Sequence, residues 1–168
     1  MADIKSSVNP LFLREEDIRQ GMELLYYAYR DFTAEPDAIL AEYGFGRAHH
    51  RVIYFVGRNP LINVSELLGI LKITKQSLSR VLGQLVREEF INQREGIEDR
   101  RQRLLKLTDK GVELEKRLSA SQSKRIAKAY REAGAEAVQG YRDVLTGMIS
   151  SEDRKRVFGR SLRSIDNS

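Results

Sequence analysis

The chain has no cysteine, which excludes disulfides, thiolate metal sites and cysteine-based redox sensing. It has no window approaching the roughly 18 apolar residues that a membrane-spanning helix needs. Its first residues, MADIKSSVNPLF, lack the basic segment running into an apolar one that marks a secretory leader. There is no glycine-rich phosphate loop, no internal repeat and no low-complexity tract. With no cysteine nucleophile and no convincing histidine, carboxylate and serine set, nothing points to catalysis, and a non-enzymatic protein of the cytoplasm is expected. The 168 residues suffice for one domain, or for two small lobes sharing a core.

What is present is charge, unevenly spread. The net charge is +5, yet residues 1–45 carry 4 basic and 9 acidic side chains, leaving 25 basic and 15 acidic ones for residues 46–168. A positive field confined to part of a chain points to a polyanionic partner, nucleic acid before an anionic membrane; a solvated lysine and arginine face is the plainer reading. The densest segment is Arg94 to Gly111, REGIEDRRQRLLKLTDKG, with six basic and four acidic residues from 94 to 110.

Apolar periodicity supplies the elements. Ile18, Met22, Leu25, Tyr29 and Phe32 step by four and three, predicting a helix over about 14–34. Pro36 is its expected end, because the residue before a proline is biased away from helical angles. A second helix is expected from about Asp37, loosened at Gly44 and Gly46 and resumed through RAHHRVIYFVG until GRNP stops it. NVSE reads as a capping box for a helix over 64–71 with Val64, Leu67, Leu68 and Leu71 on its apolar face. Lys72-Ile73-Thr74 connects it to a helix over 75–88, capped by Thr74 and burying Leu78, Val81, Leu82, Leu85 and Val86. FINQRE and RLLKLT are strand-like runs around a charged tip, a hairpin over 90–108. From Asp109 the spacing of Val112, Leu114, Leu118, Ile126, Tyr130, Tyr141, Leu145 and Met148 predicts a long helix. Gly134, Gly140 and Gly147 each weaken it by about 1 kcal/mol relative to alanine, which predicts a bend. Ser150 or Ser151 caps a last helix.

Two short helices joined by a three-residue turn and followed at once by a hairpin describe a winged helix-turn-helix. A helix about 10–12 Å across fits a major groove about 12 Å wide. Residues that read base edges must therefore lie opposite Leu78, Leu82 and Leu85, toward the N-terminal end: Lys75, Gln76, Ser77, Ser79 and Arg80. Arg80 suits O6 and N7 of guanine, and Gln76 suits N6 and N7 of adenine. Between Leu67 and Arg87 there are four basic residues and no acidic one, and of these Lys72 and Arg87 are phosphate candidates. At the hairpin tip Arg101 is the candidate for a minor groove, whose negative potential is strongest where it is narrow. Arg100 and Arg103 are expected near phosphates, and Asp99 is expected to pair with a wing arginine and hold its guanidinium in one orientation. The plainer reading is a charged tip whose exposed pairs are worth about 0–1 kcal/mol.

VSELLGILKITKQSLSRVLGQLV followed by DRRQRLLKLTDKG resembles the MarR family of bacterial transcriptional regulators. The wing of that family typically reads Asp-x-Arg, an apolar strand and Leu-Thr-x-x-Gly, here Asp99, Arg101, Leu107, Thr108 and Gly111. The resemblance covers residues 61–111. Lys72 departs from it, standing where the turn often carries glycine; if that position takes a positive φ, lysine bears a modest strain there. The resemblance implies a homodimer whose first and last helices, residues 1–45 and 112–168, form a dimerisation lobe above two winged DNA-binding lobes, residues 46–111. It also implies an inverted-repeat operator with half-sites about one helical turn apart, and repression relieved by a small, often aromatic or phenolic, effector. The expected fold class is mainly α with a minor α+β part, and the expected function is a ligand-responsive, double-stranded-DNA-binding transcriptional repressor. The competing reading is a winged-helix interaction module that sets its basic face against an acidic protein.

Eight of the thirteen aromatic residues fall between positions 26 and 55. Core and dimer packing accounts for most of them. Tyr29 and Tyr54, with Thr33, Arg47 and His50, are the candidates for an effector pocket. His49 and His50 are adjacent, so on a helix they point about 100° apart, unlike the i, i+4 pair that chelates well. A structural or polar role is expected for them, with no metal and no cofactor.

Overall fold

Helix α1 runs from Glu15 to Glu42, through the proline at which the sequence predicts its end. Proline carries no N–H, so the carbonyl four residues earlier, that of Phe32, loses its helical donor. Gln122, buried in a later helix, supplies the replacement: its Nε2 donates to Phe32 O at 3.2 Å. The Thr33 hydroxyl also turns onto the helix, 2.9 Å from Tyr29 O and 3.1 Å from Arg30 O. Pro36 itself is buried, so the helix continues because packing satisfies what the ring removes.

The structure of the protein, a computed structural model, describes residues 10–163. Residues 1–9 and 164–168, the outer ends of the two expected dimerisation segments, lie outside the described residues. A 3-10 turn over Leu11–Leu13 precedes α1. After a break at Tyr43 to Gly46 comes α2 (Arg47–Arg58), so the expected second helix begins ten residues later than Asp37, which belongs to α1.

A strand that the sequence does not announce follows, β1 (Ile62–Asn63), and leads directly into α3 (Val64–Leu71). The capping box forms as predicted: Asn63 Oδ1 accepts the Glu66 N–H at 2.8 Å, and Glu66 Oε2 accepts that of Asn63 at 3.1 Å. Then come α4 (Lys75–Arg87), β2 (Ile91–Glu95) and β3 (Arg103–Leu107). The sheet is antiparallel in the order β1-β3-β2, with Ile62 opposite Leu105 and Ile91 opposite Leu107. The chain finishes with α5 (Asp109–Ala133), α6 (Ala135–Met148) and α7 (Ser151–Arg163). The predicted bend falls at Gly134, whose φ of +86° breaks α5 from α6. Ser150 caps α7, its Oγ accepting the Asp153 N–H at 3.1 Å.

The fold is mainly helical, with a small three-stranded sheet forming a winged helix-turn-helix. The apolar core lies between Leu40 and Leu118, with Leu67, Leu78, Leu85, Phe90 and Leu105 at its centre, and Pro36 is buried outside that span. Thr108 fastens the sheet to α5: its Oγ1 donates to Glu89 O at 2.6 Å and accepts the Gly111 N–H at 3.0 Å. Gly111 is required by the closeness of this junction, since a Cβ there would lie 2.1 Å from Phe90 O. Among the described residues no helix is long and apolar enough to cross a membrane.

Candidate nucleic-acid interface

The candidate recognition face starts at Thr74, whose Oγ1 accepts the Ser77 N–H at 3.1 Å and whose hydroxyl donates to Ser77 Oγ at 2.8 Å. This cap fixes where α4 begins and so which side chains share a face. Leu78, Val81, Leu82 and Leu85 go into the core. Lys75, Gln76, Ser79 and Arg80 are exposed on the other side. Ser77 is half-buried and its hydroxyl serves the cap, which sets it apart from the other four.

The wing tip is held by backbone. Gly96 N–H donates to Gln102 O at 2.9 Å, and Gln102 N–H to Asp99 O at 3.0 Å. Asp99 has an internal task, but a different one from that expected: its Oδ1 accepts the backbone N–H of Arg101 at 2.9 Å, and it forms no ion pair with a wing guanidinium among the described residues. A short carboxylate reaching its own chain two residues on closes a turn that an aspartate favours. The aspartate therefore shapes the loop that carries Arg101 and leaves the guanidinium unengaged. Arg100, Arg101 and Arg103 are all exposed.

Between α3, α4 and the wing lies a groove of about 690 Å³. Lys75 and Ser79 from α4 line it together with Arg101 and Arg103 from the wing. Gln76, Arg80 and Arg100 are exposed outside this lining. Three polar lining residues have no place in the sequence reading: Ser65, Gln93 and Gln102. The capping box already fixed Ser65 in the first turn of α3, and the strand alternation could have placed Gln93. Gln102 offers no local signal. Of the two phosphate candidates outside α4's tip, Arg87 is exposed, and Lys72 donates its ammonium to Asp153 of α7 at 3.1 Å. Lys72 adopts φ 51°, ψ 41°, the left-handed conformation for which the turn often carries glycine.

Residues 43–102, from just after α1 to the tip of the wing, match the model of the MarR family. Over 145 residues the chain is 47% identical to the HTH-type transcriptional regulator PetP of Rhodobacter capsulatus, a match covering 86% of this chain and 87% of PetP. The chain belongs to the MarR family. It is a helix-turn-helix, DNA-binding transcriptional regulator, and the family is not one of enzymes. Solved structures share the fold at low identity. A MarR family transcription regulator superposes with a TM-score of 0.66 at 18% identity, covering 88% of this chain and 94% of that one. A mutant MarR from E. coli, complexed with operator DNA, does so at 0.60 and 19% identity, covering 84% of this chain and 99% of that one.

The five residues singled out for an effector pocket meet in this MarR protein. Tyr29, Thr33, Arg47, His50 and Tyr54 line one cavity of about 620 Å³ between α1, α2 and α5, with Ile126 and Tyr130 on the α5 side. Arg47 spans its edge, donating to Asp37 Oδ2 at 2.9 Å and to Thr33 Oγ1 at 3.3 Å. Arg51 donates to the Tyr29 hydroxyl at 3.1 Å. Burial lowers the His50 pKa below its ordinary value, against the opposing pull of Asp37 and Glu115, which favours the neutral imidazole. His49 is structural: Nδ1 accepts the Gly46 N–H at 3.1 Å, Nε2 lies 2.8 Å from Gln84 Oε1, and the ring stacks on Phe45.

Proposed function

We propose that the protein acts as a homodimeric repressor on an inverted-repeat operator and is released by a small aromatic effector. The observation that carries the DNA assignment is the groove in which Lys75, Ser79, Arg101 and Arg103 converge from two separate elements. In this reading Gln76 and Arg80 meet base edges in the major groove and Arg101 enters the adjacent minor groove. Arg100, Arg103 and Arg87 meet phosphates, and Asp99 acts by shaping the wing turn. Ser77 contributes through the cap that positions the helix.

The dimer is supported by apolar surface that a lone chain leaves in water. Ile18, Met22 and Leu25 on α1 are exposed, as are Tyr141, Val144 and Met148 on α6. Exposed apolar side chains concentrated on two helices in this way favour an interface. Two-fold pairing of segments 1–45 and 112–168 would set two reading lobes, 46–111, at half-sites about one helical turn apart. An effector held by Tyr29, Tyr54 and His50 beneath Arg47 would sit between the dimerisation helices and the reading lobe, where it can bias their relative placement.

Fluorescence anisotropy tests this on duplexes tiled across the protein's own upstream region, against random duplex. A sequence-preferring complex that weakens steeply with salt is expected. Arg80→Ala should weaken binding and relax preference at one base pair by about 1–3 kcal/mol, and Arg101→Ala should weaken binding. Wild-type affinity and preference in both variants would refute the residue assignment. Small aromatic compounds that dissociate the complex would identify the effector class.

A further inference from the structure

Helix α7 returns to the reading lobe and lays its first turn against the turn between α3 and α4. Asp153 is the centre of the contact. Its Oδ2 accepts from Lys72 Nζ at 3.1 Å and from Ser150 Oγ at 2.8 Å, and its Oδ1 accepts from Arg156 Nη1 at 2.8 Å. The same Arg156 nitrogen donates to Gly69 O at 3.3 Å, so α7 grips both the last turn of α3 and the residue that follows it. These donors hold the Asp153 carboxyl at a pKa of about 2, well below the usual carboxylate range, so it stays ionised in any ordinary buffer.

Lys72 is the exception within its group. Lys75, Arg80, Arg87, Arg100, Arg101 and Arg103 have no carboxylate within ion-pair distance among the described residues, whereas Lys72 has Asp153. It leaves the chain three residues before Lys75, at the end of α4 that carries the recognition face. Its partner lies 81 residues away in sequence, on a helix outside the segment that matches the family model.

We propose that Asp153 stands in for a DNA phosphate at Lys72, so that α7 limits the affinity of this protein for DNA by withholding one cation from the interface. A carboxylate and a phosphate offer an ammonium the same thing, charged oxygens that accept its hydrogen bonds. The Lys72–Asp153 pair is solvent-exposed and therefore weak and screened by salt. A phosphate arriving at the turn can displace the carboxylate, but it exchanges one ion pair for another and strands the carboxylate beside a polyanion. The inference rests on the DNA-binding reading of α4 and the wing.

The test is the binding of the full chain to a fluorescein-labelled random-sequence duplex, followed by anisotropy across a salt series. A random duplex suffices because a phosphate contact carries no sequence information. Asp153→Asn should bind several-fold tighter at low salt, and the slope of log K against log salt should steepen by about 0.9 per protomer, the signature of one added phosphate contact. Lys72→Gln should flatten the slope more in the Asp153→Asn background than in the wild type. A merely structural role for α7 predicts weaker binding by Asp153→Asn with no steepening. That result, or an equal effect of Lys72→Gln in both backgrounds, overturns the proposal. Asp153→Ala also frees Lys72 and gives the same readout should the amide disturb the first turn of α7. Arg101→Ala on the same duplex reports on the DNA reading separately, and absence of any complex with all these proteins would overturn that reading and this inference together.

Discussion

The reading lobe and the helices above it are built on opposite terms. From Leu40 to Leu118 the chain closes a core of its own, with Leu67, Leu78, Leu85 and Leu105 fully removed from water. The first half of α1 and all of α6 bury nothing, and they present Met22, Val144 and Met148 more than half exposed. Hydrophobic burial is what offsets the entropy of ordering a chain. The winged lobe thus holds its geometry by itself, while the upper helices carry apolar stripes that reach their full value only when covered.

The largest expected effect breaks the closed half. Leu78→Ala removes a fully buried side chain from beneath the recognition face and should cost about 2–5 kcal/mol in urea unfolding. Next comes the open half. Leu25→Arg should leave the reading lobe's circular dichroism intact and weaken self-association by about 2–4 kcal/mol, a factor of roughly 30–1000, in sedimentation equilibrium. Unchanged association would show that this stripe is not the face that pairs. The smallest effect sits at the join between the halves. Gln122→Leu leaves the Phe32 carbonyl without its donor and should cost about 1–3 kcal/mol. In a Pro36→Ala background the restored N–H at position 36 can serve that carbonyl, and the penalty of Gln122→Leu should shrink. An equal penalty in both backgrounds would refute this account of how the helix passes the proline.

The same join explains what could be read from the sequence. The capping box at Asn63, the Thr74 cap and the strand runs around the wing are signals between residues a few positions apart, and each element they announce is present. Pro36 does not end its helix, because the donor that makes good its missing N–H lies on α5, 90 residues from the carbonyl it serves. The two residues of β1 carry no pattern of their own and become a strand only because Leu105 offers a ladder. Asp99 reaches the backbone two residues ahead, a nearer partner than the guanidinium that its charge suggests. For the cavity, residue types and helical spacing pointed to Tyr29, Thr33, Arg47, His50 and Tyr54 on α1 and α2. The opposing wall of Ile126 and Tyr130 depends on how α5 packs, which no local pattern encodes.

The bond of Thr108 to Glu89 and the tight seat of Gly111 on Phe90 have a mechanical meaning. They weld the base of the wing to the first turn of a 25-residue helix whose opposite end lies among the upper helices. At 1.5 Å per residue that helix is a lever about 37 Å long, so a tilt of about 5° displaces one end by about 3 Å relative to the other. A minor groove is only about 6 Å wide. A displacement of about 3 Å is half that width, so a small tilt of this helix would change how deeply a guanidinium at the wing can reach into the groove.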